Sequence, residues 1–374
     1  MIKNSITFIK IYAEDKLALF FFGNINYDGR SYNMIKTLSE NNYYVDVYHL
    51  SNKTEIKKNI SLIGLQNNYK SGFFKFYRWF QMIKKISLDS YSSVIASDLY
   101  SLVGLRLGSK SFVVYDVRDF FDELPSLKNK PFKKILWKTV EKKCLPFVKT
   151  IITTSNKDKE VIKKKFKAFT HLQYYTIYNY PLLCNHKKNN YLRSKFNINP
   201  NNKILIYQGV VEKGRGVGLL IKIISMVKGC ACVIVGGGPD LLFFKQVVSS
   251  LNLKHKVFFH KKVPYIDLLK ITLSADVGIS FIRPTCKNNI YALPNKIFEY
   301  SICGLPVLSS NMPSITTTIK KYNLGKCCNI YNQNHIIDTV KEITQKSFLN
   351  KKKPLIKNIE WKSQEEKFLN IFKL

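Results

Sequence analysis

The alternation of apolar and polar positions divides the chain into short strand-like runs separated by helix-length stretches. LALFFFG (17–23) leads through the loop NINYDGR into SYNMIKTLSENN, whose apolar residues recur at helical spacing, and YYVDVYHL (43–50) then alternates with period two. That is a βαβ start. SSVIAS (92–97), SFVVYDV (111–117) and KTIITTS (149–155) follow as β-branched runs with helix-length segments between them, which predicts a parallel sheet covered on both faces. Between about Tyr178 and Lys203 the pattern stops: NYPLLCNHKKNNYLRSKFNINPNN is polar, carries two prolines and reads as a connection. A second series then begins with ILIYQG (204–209), VGLLIKIISMVK, ACVIVGGG, a helix from about Pro239 to Leu251 and KVFFH. It continues through YIDLLKITLSA, VGISFI, NKIFEYSIC and PVLSS. The reading is an α/β chain of two doubly wound domains: 1–180, a linker at 181–202, 203–350, and a separate amphipathic helix within 351–374. At 374 residues, two domains of this size are the natural division.

Composition sharpens the picture at three points. Sixty Lys and Arg against 25 Asp and Glu leave a net charge of +35, a field that attracts phosphates, nucleic acid or anionic lipid. Only seven of the sixty are Arg, in a chain also crowded with Asn, Ile and Tyr, so part of the excess reflects compositional bias and only clustered charge carries functional weight. The eight cysteines show no C-x-x-C pair and no His at zinc-ligand spacing, so no metal site is expected, and Cys230 and Cys232 sit in apolar runs as small hydrophobes. Glu14 and Asp15 precede the first apolar run, with no small-residue cleavage site, so no signal peptide is expected. No run reaches the roughly 18 to 20 apolar residues of a membrane span. The expected location is the cytoplasm.

Three segments carry candidate chemistry, and each has a bland reading beside it. In YQGVVEKGRGVGLL (207–220) a strand ends at Gly209 and a Gly-rich turn with Gly214 and Gly216 opens a helix, where backbone N–H groups and Arg215 can bind phosphate. It is no P-loop, because Arg215 and Gly216 stand where Lys and Ser/Thr belong, and it lacks the full dinucleotide pattern. The alternative is an ordinary strand-to-helix turn. IVGGGPD (234–240) ends another strand, and Gly236, Gly237 and Gly238 let backbone approach a ligand or a second domain closely. In NIYALPNKIFEYSICGLPVLSS (289–310) Pro294 and Asn295 precede or open a helix whose first turn holds Lys296, with Glu299 three residues on along the same face. A cation and a carboxylate so placed suit a diphosphate and a ribose; a solvated i, i+3 ion pair is the alternative.

Taken together, Y-x-G-x(4)-G-R-G, V-G-G-G-P, S-A-D-V-G-I and P-N-K-I-F-E-Y-x(3)-G-L-P-V, ending at a Gly325 turn, resemble the donor-binding domain of the family 4 retaining glycosyltransferases (glycosyl transferases group 1). The likeness is to members from capsule and O-antigen loci. It spans about residues 200–330 and extends loosely to the first domain through D-G-R (28–30), Y-D-V-R-D (115–119) and T-T-S (153–155). The resemblance implies the GT-B architecture, two domains across a cleft with the final helix packing back on the first. It implies that Arg215 and Lys296 bind the donor diphosphate, that Glu299 holds the ribose, and that Gly209, Gly214, Gly216 and Gly236–Gly238 line the donor side with Tyr291, Pro294 and Asn295. Arg30, Asp116, Arg118 and Asp119 become acceptor-side candidates, although D-x-R-D after a strand can equally be a local ion-pair network. The sequence departs from the family at two places: Val210 replaces a basic residue, and Tyr291 replaces the first acid of the E-x(7)-E pair. The implied reaction is metal-independent sugar transfer with retention from a nucleotide-sugar substrate, UDP favoured over GDP, with no further cofactor.

The first domain also carries two clusters of charge. KSGFFKFYRWFQMIKKI (70–86) has five basic residues, six aromatics and no acid, and KNKPFKKILWKTVEKKCLPFVK (128–149) has eight basic residues and one acid. Basic helices with Phe and Trp on the other face lie on anionic membranes, which predicts a peripheral association with the inner face of the cell membrane and a lipid-linked glycan acceptor. Packed aromatic faces with solvated lysines are the alternative. No nucleic-acid motif accompanies the charge, so nucleic acid is not the expected partner. A non-catalytic GT-B assembly protein on the membrane stays open, given Val210 and Tyr291.

Overall fold

The structure is a computed structural model describing residues 16–66, 72–105, 112–183, 187–349 and 358–373. The expectations placed on residues 1–15, on Lys70 and Ser71 and on Cys184 lie outside it. β1 (Lys16–Phe21), β2 (Tyr44–Leu50), β3 (Glu55–Lys57), β4 (Ile60–Leu65), β5 (Ser93–Ala96), β6 (Phe112–Val117), β7 (Val148–Thr153) and β8 (Gln173–Thr176) form the first sheet. Its order is 3-4-2-1-5-6-7-8, parallel apart from β3. β9 (Lys203–Gln208), β10 (Cys230–Val235), β11 (Val257–His260), β12 (Val277–Ser280), β13 (Val307–Ser310) and β14 (Gly325–Cys328) form the second, in the order 11-10-9-12-13-14 and all parallel. The order of the second sheet reverses between β9 and β12, which opens a crevice at their carboxyl ends.

Helices cover both faces of each sheet, and the period-two alternation places successive residues in opposite layers. Leu17 and Leu19 pack with Met34, Ile35 and Leu38, while Ala18 and Phe20 pack with Trp79, Val94 and Leu102. Ile204 and Ile206 enter one layer of the second domain and Leu205 and Tyr207 the other. Burial on both faces explains why these strands are nearly continuously apolar.

The pair β3–β4 was not expected from the alternation. β3 is fully exposed and β4 only partly buried, so neither carries the apolar pattern of an interior strand. Gly325 begins β14 rather than forming the turn, which falls on Asn323, the left-handed residue (φ 53°) that ends the Pro313–Tyr322 helix. The last helix, Lys362–Leu369, returns to the first domain. Trp361, Phe368 and Leu369 join the Met34, Ile35 and Leu38 layer, and Trp361 Nε1 donates to Thr37 Oγ1 at 2.7 Å. No helix of the described residues is long and apolar enough to cross a membrane.

Candidate active site

The carboxyl ends of the two sheets face each other across a cavity of about 460 Å³. β9 ends at Gln208, and residues 209–216 lead into the Val217–Met226 helix. The glycines after β10 brace this turn. Val211 N–H donates to the Gly237 carbonyl (3.0 Å), Asp240 N–H to the Val211 carbonyl (3.2 Å), and Lys213 N–H to Asp240 Oδ2 (2.7 Å). Gly236 has φ 153°, and a Cβ there would lie 2.0 Å from the Gly209 carbonyl oxygen, so only glycine lets the two turns touch.

The Asn295–Ile302 helix points its amino end into the cavity, with Pro294 as its cap residue and Asn295 in its first turn. Lys296 and Glu299 share a face, yet no ion pair joins them among the described residues. The Lys296 amine sits 3.9 Å from the centre of the Tyr207 ring and 3.4 Å from where a Cβ on Gly209 would be. Burial pushes it down, Arg215 adds repulsion and Glu299 opposes, leaving it at about 7. Glu299 is buried, and burial pushes its carboxyl up to about 7 against a hydrogen bond from Gln208 and the charge of Lys296, with Asp28 adding to the rise. The solvated ion-pair reading therefore fails: a lysine and a carboxylate stand in the cavity wall, both titrating near neutrality. Arg215 lies at the exposed rim, its Nε donating to Glu212 Oε2 at 3.0 Å.

The first-domain wall is a charge network. Arg30 is buried and donates through Nε and Nη2 to both oxygens of Asp116 (2.7–3.0 Å) and through Nη1 to Asn179 Oδ1 (2.5 Å) and the Ile177 carbonyl (2.6 Å). Arg118 donates through Nε to Asp116 Oδ2 (2.8 Å), through Nη2 to Ser31 Oγ (2.7 Å) and through Nη1 to Asp28 Oδ2. Asp28 also caps the Gly29–Glu40 helix by accepting from Arg30 N–H. Burial alone would raise Asp116, but the two guanidiniums hold it below the usual carboxylate range. Arg30, Asp116 and Arg118 thus form the local network that D-x-R-D allowed. Asp119 is exposed and accepts from Asn288 Nδ2 at 2.9 Å.

The domains also touch around the cavity. Phe120 N–H donates to Asn288 Oδ1 (2.9 Å), Asn179 Nδ2 donates to Asn295 Oδ1 (2.7 Å), and Tyr265 packs so closely on Gly29 that a Cβ there would lie 2.4 Å from its ring.

Of the residues singled out from the sequence, Arg30, Arg118, Asp119, Gly209, Arg215, Pro294, Asn295, Lys296 and Glu299 line the cavity. Asp116 lies beneath it, Gly214, Gly216 and Gly236–Gly238 shape its backbone without lining it, and Tyr291 packs edge-on against Phe120 (6.4 Å). Asp28 and Thr154, named in the sequence only within the motifs D-G-R and T-T-S, line it too, as do Asp158, Asn179, Gln208, Tyr265 and Asn288, which sequence reasoning missed. Asp158 had a signal, since Ser155-x-x-Asp158 after a strand is a helix-capping pattern, and Ser155 Oγ accepts from Asp158 N–H at 3.0 Å.

Two facing parallel-sheet domains, a cleft at their carboxyl ends and a final helix returned to the first domain constitute the GT-B fold. Sucrose-phosphate synthase from Thermosynechococcus elongatus superposes with a TM-score of 0.76 at 15% identity, over 96% of this chain and 98% of that one. The HepE protein of Anabaena in complex with UDP and glucose does so at 0.73 and 12% identity (96% and 99%). WaaG, a glycosyltransferase involved in lipopolysaccharide biosynthesis, gives 0.66 and 14% identity (95% and 95%). At such identities the likeness is one of fold. A sequence comparison with curated proteins gives no match. Residues 189–361 match the family model of glycosyl transferases group 1, and this part of the chain belongs to that family.

Proposed function

We propose that the protein is a nucleotide-sugar glycosyltransferase, retaining and metal-independent. In this reading it transfers a hexosyl unit, from UDP in preference to GDP, to a lipid-linked oligosaccharide in the synthesis of a cell-surface polysaccharide such as capsule or O-antigen. The observation that carries the reading is the convergence of Lys296, Glu299 and the rim residue Arg215 on one cavity at the β9/β12 reversal. Solved relatives of the same fold hold UDP and UDP-glucose. As the bond from the sugar to the diphosphate breaks, negative charge grows on the departing nucleoside diphosphate. Lys296, Arg215 and the amides at the start of the Asn295–Ile302 helix supply the opposing charge, and Glu299 accepts from the ribose hydroxyls. Asp119 and Asp158, which line the first-domain side of the cavity, are the groups this reading assigns to the acceptor's hydroxyls.

The membrane part of the proposal rests on the Gly72–Ile83 and Pro131–Cys144 helices, which meet through Phe76 and Trp137 (6.1 Å). The tryptophans expected on the outer face turn inward: Trp79 is fully buried and Trp137, partly buried, packs on Tyr100 and Phe121. The exposed apolar side chains are instead Phe73, Phe74, Tyr77, Phe132, Ile135 and Leu136, with Phe132 86% exposed, among exposed Arg78, Lys133, Lys138, Lys142 and Lys143. Apolar groups ringed by cations suit an anionic bilayer, which supports an association with the inner face of the cell membrane.

The test is transfer from a panel of UDP- and GDP-sugars to lipid-linked acceptors in anionic vesicles, with the anomeric configuration of the product read by NMR. Transfer with retained configuration supports the proposal. Nucleotide-independent vesicle binding with no turnover of any donor would favour the non-catalytic assembly protein, to which Tyr291 in place of a family acid otherwise points.

A further inference from the structure

Gln208 ends β9 directly before Gly209 and is 2% exposed. A buried amide at the end of an otherwise apolar strand must find partners, because an unpaired one is costly. It spans three elements to find them. Its backbone N–H donates to the Tyr300 hydroxyl at 3.0 Å. Its Oε1 faces Thr272 Oγ1 at 2.8 Å, a hydroxyl whose one proton is shared with the Leu268 carbonyl at 2.9 Å. Its Nε2 donates to Glu299 Oε2. Among the described residues no other hydrogen bond reaches the Glu299 side chain, so Oε1 of the carboxylate remains available in the cavity wall.

We propose that Gln208 is a positioning residue for donor binding: clamped by Thr272, its amide holds one oxygen of Glu299 so that the other is presented to the vicinal diol of the donor's ribose. The inference rests on the donor reading given above. Its physical basis is that a diol with two O–H donors is matched by an ionised carboxylate, whereas a protonated carboxyl offers a competing donor. Burial works against the ionised form, and so does Asp28 across the cleft. Lys296 on the same helix opposes them, Tyr265 and Tyr300 face the carboxylate as phenols, and Arg215 acts on Lys296. Among the described residues, Gln208 Nε2–H is the one hydrogen-bond donor to the Glu299 carboxylate, favouring the charged state and setting its direction.

The experiment is calorimetric titration of the full-length protein with UDP, or GDP where GDP binds more tightly, and separately with inorganic pyrophosphate, between pH 6 and pH 8.5. The proteins are wild type, Gln208→Leu, Thr272→Val and Glu299→Ala. Gln208→Leu is expected to weaken the nucleotide about tenfold at pH 7, the size of one hydrogen bond to a charged group. The deficit narrows towards pH 8.5 as Glu299 ionises unaided, and pyrophosphate, which reports Lys296 and Arg215, binds as in wild type. Thr272→Val moves the same way by less, and serves alone if Gln208→Leu does not fold. Equal, pH-independent losses of nucleotide and pyrophosphate would make Gln208 a packing residue and overturn the proposal. A loss in Glu299→Ala with none in Gln208→Leu and Thr272→Val overturns the proposal while the donor reading stands. Unchanged nucleotide binding in Glu299→Ala removes both.

Discussion

Binding of a nucleoside diphosphate at pH 8 is predicted to draw a proton from solution, and Lys296 is the group that receives it. Its ordinary value of 10.5 is brought down to about 7, so at pH 8 roughly nine-tenths of the free protein carries a neutral amine. An adjacent diphosphate restores the charged form, and an upward move of about 2 units returns roughly nine-tenths of it, an uptake of about 0.8 proton per nucleotide. The terminal phosphate, already ionised above about pH 6, adds little at this pH. By linkage the affinity then falls about sixfold per pH unit near pH 8. Titration in HEPES, tricine and Tris reads the uptake directly as the slope of apparent enthalpy against buffer ionisation enthalpy. Lys296→Arg keeps a permanent charge, so it should bind without the uptake. A zero slope in wild type, or the same slope in Lys296→Arg, would refute the reasoning.

Other outcomes follow from the packing. Gly236→Ala puts a Cβ 2.0 Å from the Gly209 carbonyl at φ 153°, and should cost about 3 kcal/mol or more, seen as a lower melting temperature together with lost nucleotide binding. Arg30→Ala leaves buried Asp116 with Arg118 as its remaining cation and should cost about 3 kcal/mol, with part of the loss recovered on adding Asp116→Asn; a thermal-shift comparison of single and double variants decides it. Phe132→Asp with Ile135→Asp alters exposed positions, so sedimentation with anionic vesicles should drop while the melting temperature holds.

The layers of the fold were legible because each strand repeats apolar residues over its whole length, a local property. Residues Ile204 to Tyr207 announce a doubly covered strand without reference to anything distant. β3 and β4 were not legible, since an edge pair exposed to water carries no such pattern. The second-domain wall of the cavity was legible for a different reason: Lys296 and Glu299 lie three residues apart on one helix, so spacing alone puts them on one face. The Gly236–Gly238 run was visible as backbone freedom, but its use, bracing Gly209 and Val211 across the turn, depends on the neighbouring strand. The first-domain wall was hidden because its partners are far apart in the chain. Arg30 meets Asp116 across 86 positions and Asn179 across 149. Gln208 was hidden inside a strand motif, where only the approach of Thr272 and Glu299 gives a buried amide its meaning.

The most direct measurement of the central claim is a thermal-shift screen of the purified protein against UDP, GDP, ADP and CMP and their sugars, repeated on Glu299→Ala and Arg215→Ala. A ligand that binds only the folded state raises the melting temperature with its affinity and concentration. The account predicts a rise with one nucleoside diphosphate and its sugar, UDP before GDP, that is lost in Glu299→Ala and reduced in Arg215→Ala. No rise with any nucleotide, or a rise that survives in Glu299→Ala, would contradict a donor site in this cleft.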